Sequence, residues 1–99
     1  MIKGKQRSYL KSLAHKLEPI VYIGRAGITG TVEKSLNECL AARELVKCKI
    51  QEGSDISPKE AASTLAEKLD AEFVQAIGRK FVLYRPAKDK DKRKIYLPR

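Results

Sequence analysis

The sequence predicts an α/β fold: a single compact domain in the order α-β-α-β-α-β-β, with a mixed four-stranded sheet packed with helices. Three observations predict it. Segments with apolar residues at i, i+3, i+4 alternate with short apolar or alternating runs of strand length. The breaks between them are short, which favours parallel strand neighbours joined by helical crossovers. Only two residues, Gly78-Arg79, separate the last two alternating runs, and so short a link makes an antiparallel hairpin.

Each element has its own signal. Leu10, Leu13, Ala14 and Leu17 give residues 3–17 the spacing of a basic amphipathic helix, ended by Pro19. Ile20-Val21-Tyr22-Ile23 is a short strand. A glycine turn follows, then a helix over residues 29–43 with Val32, Leu36 and Leu40 on one side and Thr29 or Thr31 as N-cap. Residues 45–51 alternate, so Val46, Cys48 and Ile50 face the core while Lys47 and Lys49 face away. Gly53-Ser54-Asp55 breaks this strand. Ser57-Pro58-Lys59-Glu60 is a capping box with proline at the first helical position, and the helix behind it buries Ala62, Leu65, Ala66 and Leu69. Residues 72–77 and 80–85 form the hairpin.

These elements give one domain over residues 1–87. Residues 88–99, with the run Lys88-Asp89-Lys90-Asp91-Lys92-Arg93-Lys94, lack an apolar period and form a mobile basic tail, with a short final strand at 95–97.

Charge narrows the partners. The chain has 21 Lys+Arg against 12 Asp+Glu, a net charge of +9 on 99 residues. Its pI near 9.7 lies in the range of nucleic-acid-binding domains. The sign alone does not separate RNA, DNA and an acidic membrane. No run approaches the length of a membrane span, and the N-terminus lacks the apolar stretch of a secretory signal. Cys39 and Cys48 fall on core-facing positions and read as small buried apolar residues, so a cytoplasmic location is expected. His15, the one histidine, has no ligand partners nearby in sequence, and no metal site or cofactor is expected. No nucleophile–base pair or nucleotide loop is present, so an enzyme is not expected.

The most specific stretch is the turn Gly24-Arg25-Ala26-Gly27. Two of its residues have no Cβ, so the backbone can approach a phosphate closely. The helix start behind it offers free N–H groups and the positive end of a dipole. Arg25 adds a full charge. The simplest ligand for this arrangement is a sugar-phosphate backbone. A tight connection with no ligand would look much the same, and context decides between them. The spacing fits neither a dinucleotide fingerprint nor a P-loop.

That context is a resemblance. Leu10-Lys11-Ser12-Leu13-Ala14-His15, Ile23-Gly24-Arg25-Ala26-Gly27-Ile28-Thr29, Glu44-Leu45-Val46-Lys47, and Gln75-Ala76-Ile77-Gly78-Arg79 with Leu83-Tyr84-Arg85 stand in the order of the CRM domain (chloroplast RNA splicing and ribosome maturation). The chain resembles its small stand-alone bacterial form, the YhbY-like proteins, from about Lys3 to Pro86. Arg43 stands where the family often has histidine, and Cys48 where it often has valine. The resemblance implies a fold similar to the C-terminal domain of translation initiation factor three. It implies RNA binding through the G-x-x-G loop and the adjoining basic surface, and association with precursors of the large ribosomal subunit.

The expected RNA contacts are therefore Gly24, Arg25, Ala26, Gly27 and Thr29, with Lys47 and Lys49 next. Lys3, Lys5, Lys11, Arg79 and Lys80 follow, each of which could equally be a solvated surface charge. Tyr22 and Tyr84 read as packing residues rather than base-stacking ones. The expected partner is RNA, from the large-subunit precursor, bound by a monomer without membrane or small-molecule substrate. Two alternatives stand beside it: a general RNA-binding, chaperone or splicing-type module, and a basic protein-interaction module.

Overall fold

A computed structural model describes residues 2–98; Met1 and Arg99, the outer limits of the expected domain and tail, lie outside the described residues. The elements are α1 (Gly4–Ala14), β1 (Val21–Ile23), α2 (Gly30–Arg43), β2 (Leu45–Ile50), α3 (Pro58–Lys68), β3 (Glu72–Ile77) and β4 (Lys80–Tyr84), with a 3-10 turn at Lys90–Lys92. The four strands form one sheet in the order β1-β2-β4-β3. β1 pairs parallel to β2, and the other two pairings are antiparallel. The mixed sheet follows from the two kinds of link: a helical crossover between β1 and β2, and a two-residue turn between β3 and β4. Gly78, the first residue of that turn, has φ of +61°, a value that suits glycine.

Both faces of the sheet are used. On one face Val21, Ile23, Val46, Cys48, Ile50, Phe81 and Leu83 pack with Leu36 and Leu40 of α2 and with Ala61, Ala62 and Leu65 of α3. The expected stripe of α3 is thus buried at Ala62 and Leu65; Ala66 and Leu69 sit at its margin, partly buried. On the other face Leu10 and Ala14 of α1 cover Leu45, Val74, Val82 and Tyr84. Leu45 is therefore a second-face core residue, sharing its side of β2 with Lys47 and Lys49.

The expected helix ends behave as their caps dictate. Thr29, not Thr31, caps α2, its hydroxyl accepting from the Val32 N–H at 3.2 Å. Ser57 caps α3, accepting from the Glu60 N–H at 3.1 Å. α3 closes with Asp70 at φ of +53° and the Ala71 N–H donating to the Ala66 carbonyl, a Schellman ending built on aspartate instead of glycine. α1 is shorter than its apolar period suggests. It ends at Ala14, and Leu17 is 37% exposed. Pro19 restricts Glu18, and the Ile20 N–H is drawn to the Lys47 carbonyl, so the chain leaves the helix early to enter the sheet.

Residues 95–97 form no strand, which corrects the expectation for this segment. The Ile95 N–H goes instead to a buried carboxylate that also collects two nearby donors. Glu44, 1% exposed, accepts from the Ala87 N–H at 2.7 Å, the Lys94 N–H at 2.6 Å and the Ile95 N–H at 2.9 Å. Ile95 and Leu97 then pack against the α1 side of the core. A carboxylate that collects three N–H groups does the work a neighbouring strand would otherwise do.

Burial alone would push the Glu44 carboxyl up, but the three N–H donors and the charge of Arg93 together hold it below its ordinary value of 4.5. The unfolded chain then binds the proton more readily than the native one. The resulting stabilisation is complete above the unfolded value and is lost as pH falls below 4.5 through the lower native value. Glu44→Ala should lower unfolding free energy by about 2–4 kcal/mol, since it strands buried donors of a charge-assisted network. Glu44→Gln should cost less and flatten the acid limb, as measured by urea midpoints taken from about pH 6 to pH 3.

The cysteines differ in access. Cys48 is buried and Cys39 half-buried, and neither is in a disulfide. Burial, with a smaller contribution from Cys39, pushes the Cys48 thiol up to about 12. In the native protein a disulfide-exchange reagent should titrate Cys39 first, and Cys48 should react only after denaturant is added.

Candidate nucleic-acid interface

Three loops meet at one end of the sheet. β1 and β2 both finish there, at Ile23 and Ile50, and the β3–β4 turn arrives there because Lys80 lies opposite Lys49. The Gln51 N–H donates to the Ile23 carbonyl at 2.8 Å, tying the loop after β2 to the loop after β1. The Ile50 N–H donates to the Arg79 carbonyl at 2.7 Å, tying the hairpin turn to the same point. The result is a continuous rim made of residues 24–27, 51–54 and 78–79.

Within the rim, residues 24–27 form a closed turn, with the Gly27 N–H donating to the Gly24 carbonyl at 3.0 Å. Gly27 has φ of +72°, which strains any other residue. At Gly24 the constraint is milder: a Cβ there would stand 3.2 Å from the Gln51 side-chain oxygen, which would have to give by a few tenths of an ångström. The Arg25 side chain lies across Gly53, where a Cβ would come within 2.9 Å of its Nε. Gly53, also at positive φ, thus makes the floor on which Arg25 rests while the residue stays exposed. Ala26 is exposed beside it, and Thr29 is spent on capping α2. α2 therefore begins directly behind the turn, with its first N–H groups on the rim side.

Of the remaining expected residues, Lys49, Arg79 and Lys80 belong to this end of the sheet. Lys47 lies two pairs further down β2, opposite Val82, and is half-buried. A cleft of about 290 Å³ between the turn and the hairpin is lined by Tyr22, Lys49, Ile50, Gln51, Glu52 and Arg79. Glu52 is a local negative charge in this otherwise basic cleft.

Lys3 and Lys5 are not brought to the rim. The start of α1 lies over the start of β3, where the Ile2 N–H donates to Glu72 Oε1 at 2.8 Å and Arg7 Nε to the Phe73 carbonyl at 3.2 Å. Glu72 pairs with Tyr84, the end of β4 away from Lys80. Lys11 is exposed on α1, between the two ends. The expected sites thus divide into a rim group and a far group.

Two residues escaped the sequence reading, and a third reads differently in the structure. Gly53 and Gln51 shape the turn from across the sheet, a contact that no local pattern encodes. Tyr22 is 50% exposed, its hydroxyl donating to the Pro19 carbonyl, which corrects its reading as a packing residue; Tyr84, 3% exposed, does pack. The signal was present in the alternation of β1, where Val21 and Ile23 are buried and the residue between them must face away. Among the described residues, no group of three or more His, Cys, Asp or Glu is placed to hold a metal ion. No helix among them is long and apolar enough to cross a membrane.

Comparison with known proteins finds relatives along nearly the whole chain. The "Probable RNA-binding protein YqeI" of Bacillus subtilis is 35% identical over 98 residues, covering 99% of this chain and 100% of that protein. An "RNA-binding protein" of Haemophilus influenzae is 38% identical over 99 residues, covering 99% of this chain and 96% of that protein. The solution structure of the hypothetical protein SAV1595 from Staphylococcus aureus, for which RNA binding has been put forward, superposes with a TM-score of 0.82 at 41% identity. That match covers 99% of this chain and 100% of the other. The sequence profile of the CRS1 / YhbY (CRM) domain spans residues 2–85. The chain therefore belongs to the CRS1 / YhbY (CRM) domain family.

Proposed function

We propose that this protein is a non-catalytic RNA-binding protein of ribosome assembly. It binds precursor large-subunit ribosomal RNA as a cytoplasmic monomer. One observation carries the reading: a glycine turn at the start of α2 holds Arg25 exposed on a glycine floor, inside a rim that also bears Arg79 and has Lys49 and Lys80 on the strand ends beside it. Such a turn exposes backbone N–H groups and a guanidinium to a phosphate at once. The net charge of +9 supplies the long-range attraction. Two of the relatives are named for RNA binding, and the family resemblance supplies the ribosomal partner. The rim carries cations and backbone donors but no paired nucleophile and base. His15, the one histidine, lines a cleft with Lys47, Gln75, Ile77, Lys80 and Val82, and no carboxylate stands among them to orient it as a base.

Arg25→Ala should weaken RNA binding by up to about tenfold, the loss of one charge-assisted phosphate contact less what water restores. The circular dichroism and melting temperature should stay unchanged, because the side chain supports no core. Gly24→Asp should weaken binding further by placing a negative charge at the helix start, while the flexible Gln51 side chain moves aside for the added Cβ. Lys90→Ala, in the tail, serves as the charge control; a loss equal to that of Arg25→Ala would show binding by diffuse charge alone.

If roughly four to six phosphates are neutralised, log K against log salt should fall with a slope of about −3 to −4 for single-stranded contacts. A flat response in filter binding would count against RNA as the partner. Gradient sedimentation of a lysate should place the protein with large-subunit precursors, and Arg25→Ala should shift it to the free fractions.

A further inference from the structure

We propose that the uncovered half of the sheet is a second RNA contact, a platform on which an unpaired base stacks against Tyr22 while its phosphates meet Lys49 and Lys80. This rests on the RNA-binding reading and adds to it a preference for single-stranded segments.

The register places four side chains in one row across the whole sheet. Tyr22 is opposite Lys49, Lys49 opposite Lys80, and Lys80 opposite Ile77, so β1, β2, β4 and β3 contribute in turn. Cross-strand partners share a face. This is the face that α1 covers lower down, over Leu45, Val74, Val82 and Tyr84. α1 ends at Ala14, however, and the chain turns off toward β1. A helix running on to Leu17, as the apolar period suggested, would shield more of this surface. As built, Tyr22 is 50% and Ile77 68% exposed.

The row is costly unless something binds it. Like charges placed directly opposite each other destabilise a strand pair. Lys49 and Lys80 are such a pair, and among the described residues neither has a carboxylate within ion-pair distance. Lys47 and His15 border the same surface below them. Two exposed apolar side chains flanking two unneutralised cations match the chemistry of an unpaired nucleotide: a π-face for the ring and positive charge for the backbone. An acidic peptide would satisfy the lysines but would leave the phenol ring without a flat partner. The rim carrying Arg25 adjoins the row through the Tyr22–Lys49–Arg79 cleft, so one strand of RNA can follow both.

The test compares a short single-stranded RNA with a blunt RNA duplex of the same length class. Tyr22→Ala should weaken the single strand on the order of tenfold and leave the duplex within about twofold. Tyr22→Phe keeps the ring and loses only the bond to Pro19, so it should bind as the parent does. The pair Lys49→Gln with Lys80→Gln should lower the single-strand salt slope by about 1.4. If Tyr22→Ala binds the single strand normally while Arg25→Ala does not, the platform is wrong and the loop reading stands. Equal losses on single strand and duplex would also overturn it, as general damage. If the unaltered protein binds neither RNA, both readings fall.

Discussion

A single residue joins α2 to β2, and everything downstream depends on how it is made. Glu44 takes φ of +67° and ψ of −43°, a conformation that strains a residue with a Cβ by about 1–3 kcal/mol. Its N–H still bonds the Leu40 carbonyl, ending α2, and its carbonyl already accepts from the Arg85 N–H, joining the strand edge. Its carboxylate turns inward and takes the backbone N–H groups of Ala87, Lys94 and Ile95, beyond β4. Glycine would relieve the strain and lose the carboxylate. Glutamate holds the segment after β4 against the start of β2, so the strain is retained for what the side chain does. Because the link is so short, β2 starts at a fixed residue, and its register against β1 and β4 is set from that end.

Register is what converts a sequence into a surface here. A slip of one residue in β2 would send Lys47 and Lys49 to the helix-covered face and expose Val46 and Cys48. The apolar packing of Val46, Cys48 and Ile50 forbids that slip. Arg85 adds a second lock at the same end: its guanidinium donates to the Asn37 side chain and carbonyl and to the Leu69 carbonyl, spanning α2 and the end of α3. The bulge in β3 between Phe73 and Gln75 releases the Phe73 carbonyl, which Arg7 of α1 takes up. Both arginines serve the fold, although by composition they are indistinguishable from the cations of the rim. In a strongly basic chain, then, position in the sheet separates structural from candidate binding cations.

This is also why the sequence was legible for the fold and only partly for the site. Helix caps, the hairpin turn and the alternation of β2 are local, and each reads directly from neighbouring residues. Thr29, Ser57 and Gly78 fall where their chemistry requires. Position along a strand is local; partnership between strands is not. Nothing near Lys3 or Lys5 in sequence says that they lie at the far end of the sheet. Nothing near Arg25 says that Gly53 carries it. The early end of α1 was hidden for the same reason: the pull on Ile20 comes from the Lys47 carbonyl, a partner far along the chain. Residues 95–97 carry an apolar strand-like pattern, but the Ile95 N–H goes to the buried Glu44 carboxylate, a partner far away in sequence, and Ile95 and Leu97 pack on the α1 side of the core.

On the proposed reading, the two surfaces ask different things of an RNA. The turn at residues 24–27 offers backbone donors and one guanidinium, which recognise phosphate and are indifferent to the base attached to it. The Tyr22–Lys49–Lys80–Ile77 row offers a ring face, which recognises that a base is unstacked and again tolerates any base. Selectivity would then come from shape: a site where a phosphate bend and an unpaired nucleotide occur at the spacing that separates the rim from the row. A binder built this way would hold an open precursor and release it once the base is paired, with no chemical step needed for release.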